Sequence, residues 1–214
     1  MYPTKYFIEL RKNIEKRLRK DQVLIYKAGS PFIWPESDYI LSYVVIQCLN
    51  LWVVFSRTYF LSCVLSPLRE NGTQVTCNPS IRTFNDAINQ AKKAIKWGKP
   101  YEPPWGKTQI FMDSCNAIGC SNNQEIQDAF SIQISNNQYD VFEDLPKFRN
   151  FYAHRNEDTA NEALKIARHY SIPTIPANNH PTKMLLQPTY RRPQSCLILD
   201  WIDDIINTVD LLCN

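Results

Sequence analysis

The chain has 214 residues, with 24 basic and 21 acidic side chains and a net charge of +3. Hydrophobic residues at 44% and charged residues at 21% describe a folded globular chain with a sizeable core and exclude a disordered one. So mild a charge does not by itself argue for nucleic-acid binding, and seven cysteines without framework spacing do not make a disulfide scaffold.

Five glycines are few for this length, and the 14 prolines fall outside the apolar periodic segments, which points to helices joined by ordered connections. Tyr6, Phe7, Leu10, Ile14 and Leu18 recur at three and four residues, so about 4 to 20 reads as an amphipathic helix. Residues 11–20 carry six basic side chains and one acid, a solvated helix face first and a phosphate-contacting edge second. The start, Met1-Tyr2-Pro3-Thr4-Lys5, lacks a signal peptide's apolar segment, and a reducing cytoplasm is expected. Pro31 and Pro35 bracket a loop that contains Trp34.

The most apolar stretch runs from Tyr39 to Leu65 and is long enough to raise a transmembrane question. Asp38, Gln47, Asn50 and Arg57 favour a central buried helix instead, and no membrane partner is expected. Arg57 either pairs with a structural acid or reaches a functional cleft as an RNA contact. Cys48 and Cys63 read as small core residues.

Residues 66–80 form a polar connection in which Asn71-Gly72-Thr73 is a turn. A helix over 81–97 carries Phe84, Ile88, Ala91, Ala94 and Ile95 on one side. Lys99 to Gly106 is a rigid proline and aromatic connector, with Trp97 and Trp105 as packing anchors and, secondarily, base-stacking groups. Shorter helices follow near 107–118 and 122–133, divided by Gly119. Cys115 and Cys120 have no second pair or nearby histidine to complete a zinc site, and no metal or cofactor is expected. Asp144-Leu145-Pro146 signals a helix start, and one helix is expected from there to about Tyr170, where Ile172-Pro173 ends it. Residues 173–195 read as a proline-rich surface loop, and 196–212 as a last helix with Leu197, Trp201, Ile205, Val209 and Leu212 facing inward. The sum is a single all-α domain over 1–214, a bundle of about five to seven helices around a long apolar one.

Chemistry concentrates at Phe148-Arg149-Asn150-Phe151-Tyr152-Ala153-His154-Arg155. On a helix, Asn150 and His154 stand one turn apart on one face, with Arg149 beside them. A fixed cation, an amide and an imidazole suit a phosphodiester: the arginine holds anionic oxygens, the asparagine donates a hydrogen bond, and the histidine moves a proton near neutral pH. The plain alternative is a helix histidine bonded to Glu157 or Asp158. Arg155 is a solvated or RNA-backbone cation. Phe148, Phe151 and Tyr152 are core residues first; Tyr152 is also a candidate RNA contact. His169 and His180 fit no motif and read as surface residues.

Arg149-Asn150-x-x-x-His154, in an all-α chain, resembles the motif of the HEPN superfamily, and Leu145 to Arg155 looks like the bacterial HEPN proteins of toxin–antitoxin and phage-defence loci. The resemblance implies a HEPN-like bundle and a metal-independent endoribonuclease. In it the RNA 2′-hydroxyl attacks the adjacent phosphorus, His154 moves the proton, Arg149 stabilises charge on phosphorus, and Asn150 orients the phosphate or the imidazole. It also implies a homodimer with a composite cleft, and an antitoxin or defence-system partner protein. The alternatives are a non-catalytic HEPN module that binds RNA or nucleotides, and a helical protein-interaction partner. Some HEPN toxins carry a tyrosine two positions after the histidine that a partner nucleotidyltransferase modifies. Position 156 is Asn156, so that control is not expected.

Overall fold

The computed structural model describes residues 1–29, 33–137, 140–170, 172, 180–190 and 192–214; for 28–29 and 132–137 only the backbone is described. Among the described residues the fold is all-α: α1 (Phe7–Gly29), α2 (Glu36–Cys63), α3 (Phe84–Ala94), α4 (Thr108–Ala117), α5 (Asn123–Asn137), α6 (Val141–His154), α7 (Glu157–His169), α8 (Pro181–Leu185) and α9 (Leu197–Cys213). These nine exceed the expected five to seven for two local reasons. The helix expected up to Tyr170 is two, because Arg155 adopts a left-handed conformation (φ 46°, ψ 39°) and closes α6. The stretch expected to be all loop holds α8, which has Pro181 at its first position, where a missing N–H costs nothing. Residues 173–179 and 191 of that expected loop lie outside the described residues.

Helix ends follow from their capping residues. Thr83 and Asp86 form a reciprocal capping box at the start of α3. Asp140, not Asp144, caps α6 by accepting from the Phe142 N–H, so Pro146 lies inside the helix. At the end of α4, the Cys120 N–H donates to the Cys115 carbonyl (3.1 Å) and the Gly119 N–H to that of Asn116 (2.9 Å), with Gly119 at φ 66°. That is a Schellman closure, which needs a residue at ease in the left-handed region.

The chain divides into two compact units. The first comprises Met1–Glu15, Leu51–Ile132 and Asn207–Asn214. Its core is aromatic. Phe7 stacks on Tyr59 at 4.2 Å, and Trp52 meets Phe55, Phe111 and Phe130 at 5.7, 6.3 and 6.0 Å. The buried Tyr59 hydroxyl donates to the Leu212 carbonyl (3.1 Å) and accepts from Asn122 Nδ2 (2.7 Å), so a polar atom in a dry core has both partners. The second unit comprises Lys16–Asn50 and Gln133–Ile206. In it α6 packs on α7 and α7 on α8. Trp201 is its hub, with Phe148 edge-on at 5.4 Å and Tyr170 at 5.9 Å.

Among the described residues α2 alone is long and apolar enough to cross a membrane, and 44% of its most apolar window is buried. The helix expected to be central and buried is therefore only partly buried. Leu41, Val44, Val45 and Cys48 are sealed, while Tyr39, Tyr43 and Ile46, at helical spacing, face outward.

Candidate functional site

The motif occupies the last two turns of α6. Phe148 and Phe151 are buried and fix the helix face, which turns Arg149, Asn150 and His154 outward, where all three are exposed. Asn150 and His154 are about 40° apart around the axis with about 6 Å of rise, and Arg149 and His154 are about 140° apart. Arg149 Nη1 lies 3.4 Å from Asn150 Oδ1, a long and weak hydrogen bond. His154 has no hydrogen-bond or ion-pair partner among the described residues, Glu157 and Asp158 included. The three side chains thus share one helix end, and the fold engages none of them strongly.

Their neighbours are engaged. Asp38, in the first turn of α2 and 1% exposed, accepts from Arg155 Nη1 at 2.7 Å and from Thr182 Oγ1 at 2.5 Å. The Tyr152 hydroxyl donates to Thr182 Oγ1 at 3.0 Å, and the Arg155 guanidinium lies over the Tyr152 ring. A buried carboxylate is tolerable because it meets a cation and a hydroxyl. This network holds Tyr152 in the core. It also gives Arg155, exposed as expected, a buried anion as partner. The helix end is completed by Asn156, which caps α7 by accepting from the Thr159 N–H.

His180, expected on the surface, is half-buried between Trp34 (4.9 Å) and Phe151 (5.7 Å). Its Nδ1 accepts from the Thr182 N–H and starts α8. Burial pushes its pKa below the usual histidine value, against the pull of Asp38. Asp38, Thr182 and His180 carried no motif. Asp38 meets partners 117 and 144 positions away, and no local spacing encodes such contacts.

Arg57 belongs to the first unit. Its guanidinium makes a bidentate pair with Glu102, at 2.6 and 2.7 Å, and Trp105 Nε1 donates to the same carboxylate. This is the structural-acid role named above, and it holds Glu102 below the usual carboxylate range. Trp105 is buried against Phe60 as an anchor, whereas Trp97 is half-buried with Lys99 over its ring. Among the described residues no group of three or more His, Cys, Asp and Glu is arranged to hold a metal ion.

No protein-family model matches the chain, and neither the curated proteins nor the solved structures contain a match to it.

Proposed function

We propose that the chain is a metal-independent, HEPN-type endoribonuclease whose groups are Arg149, Asn150 and His154. The reading rests on one observation: these three side chains are exposed together at the end of α6 and weakly engaged, while Tyr152 and Arg155 between and beside them are committed to the fold. The 2′-oxygen forms a bond to phosphorus as the 5′-oxygen leaves, giving a 2′,3′-cyclic phosphate and a 5′-hydroxyl. His154 takes or returns the proton, Arg149 neutralises charge on the phosphorane, and Asn150 orients the phosphate or imidazole. One imidazole cannot readily serve both sides of the phosphorus, so a homodimer supplies the second, with RNA in the shared cleft. A toxin or host-defence effector with a neutralising partner protein is the setting that suits such an activity.

His154→Ala and Arg149→Ala each lower RNA cleavage by at least about 100-fold, with unchanged circular dichroism and Tm, since neither side chain supports the core. The readout is sequencing of RNA 5′-hydroxyl ends after expression in bacteria, beside growth. Equal cleavage by wild type and His154→Ala ends this reading.

A second reading, a helical protein-interaction partner, is favoured by the outward Tyr26, Tyr39 and Tyr43, which are 69%, 64% and 50% exposed. Under it, substitutions of these exposed tyrosines abolish function while His154→Ala does not.

A further inference from the structure

Five of the seven cysteines lie in the first unit, and four of them, Cys63, Cys77, Cys115 and Cys120, gather in one cluster. Cys63 and Cys115 are completely sealed, and the Cys120 thiol lies beside both. The Schellman closure accounts for part of this, because it brings the third-last helical residue against the second residue beyond the cap, here Cys115 against Cys120.

Cys77 stands at the outer edge of the cluster. It is half-buried, and its neighbours Thr76 and Asn78 are exposed. Residues 76–78 and 118–121 run antiparallel, tied by Ser121 N–H to Thr76 O (2.8 Å), Asn78 N–H to Ile118 O (2.8 Å) and Thr76 N–H to Ser121 Oγ (3.0 Å). Cys77 lies between these bonds on one segment, and Gly119-Cys120 lies between them on the other. Backbone tied on both sides of Cys77 brings it beside Cys120, whose charge reaches its thiol, and a disulfide bridges Cα atoms up to about 6.8 Å apart. A Cβ built on Gly119 would stand 3.7 Å from the Asn78 backbone nitrogen, so the two segments are in van der Waals contact.

We propose that Cys77 and Cys120 are an oxidisable dithiol, a modification site at which hydrogen peroxide converts an accessible thiol and its inner neighbour into a reversible disulfide. Peroxide transfers one oxygen to the Cys77 sulfur, giving a sulfenic acid and water. The Cys120 sulfur then attacks the Cys77 sulfur and displaces the second water, leaving the disulfide. A low-molecular-weight thiol restores both by exchange, so in a reducing compartment the bond is transient. Burial and the nearness of Cys120 push the Cys77 thiol up, so thiolate is scarce at neutral pH and the first step needs excess peroxide. Cys63 and Cys115 have no exposed surface through which to react first.

The test treats the folded full chain with excess hydrogen peroxide, blocks remaining thiols with N-ethylmaleimide and maps peptides by mass. The expected result is loss of two of the seven free thiols, a peptide joining Cys77 to Cys120, and recovery of both on dithiothreitol treatment. Cys77→Ser, at a half-buried site, keeps the fold by circular dichroism and abolishes the thiol loss. A bond from Cys120 to Cys115 or Cys63 with Cys77 left free overturns the proposal. So does Cys77 oxidised without a link, or no loss of thiols at all. None of these results depends on ribonuclease activity.

Discussion

Arg155 combines a left-handed backbone with an ion pair to a sealed carboxylate. The left-handed conformation costs an L residue about 1–2 kcal/mol, and Asp38 compensates by holding the guanidinium in place. The two ends of the pair are unequal. Arg155 keeps 42% of its side chain in solvent, while Asp38 keeps 2%. Removing the arginine therefore strands a buried anion, whereas removing the aspartate returns a cation to water. Arg155→Ala destabilises the chain by about 3 kcal/mol in urea unfolding, and adding Asp38→Ala restores about 2 kcal/mol of it. Arg155→Gly is milder than Arg155→Ala by about 1 kcal/mol, because glycine accepts the backbone conformation without strain. Were Arg155→Ala as stable as wild type, the pair would contribute nothing to closing α6.

Among the elements, those with steady periodicity between clear breaks were legible from the residues alone. The expected 81–97, 107–118 and 196–212 lie within three residues of α3, α4 and α9 at each end. The break after His154 was hidden because apolar periodicity continues across it. Its signal was present in Asn156-Glu157-Asp158, a capping amide followed by two acids, but a helical histidine motif just upstream masks such a start. The five residues of α8 are too few for any period to show. Gly119 is the element-scale test. Its missing Cβ would meet nothing closer than 3.7 Å, so Gly119→Ala brings conformational strain without a clash. A loss of about 1 kcal/mol in thermal or urea unfolding is expected; a loss several times larger would mean that the segments beside it cannot move at all.

For the whole molecule, fold class was readable because composition and period are local properties, and the exposed motif was readable because its residues are consecutive. The network behind it was not, since Asp38, Arg155 and Thr182 meet only after tertiary packing. The same limit applies to Asp21, an acid on a basic helix that turns out to be 6% exposed. Burial raises its carboxyl from 3.8 to about 6. A pKa raised on folding means the folded chain binds that proton more tightly. The resulting stability is full below about pH 4 and is lost as pH rises through about 6. Asp21→Asn accordingly raises stability at pH 7 by on the order of 2 kcal/mol and leaves it nearly unchanged at pH 4, as melting curves at the two values would show. An equal gain at both would assign the effect to packing instead of ionisation.

The first unit is assembled from three separate stretches, and the Tyr59–Leu212 hydrogen bond alone joins positions 153 apart. Such distant closure slows folding relative to helices that pack on their immediate successors. During synthesis, a ribosome that has emitted residues 1–132 has released most of this unit without the piece that seals it. The aromatic cluster around Tyr59 must then wait, partly uncovered, until the 207–214 segment emerges, and that interval is when a nascent chain of this kind most needs a chaperone.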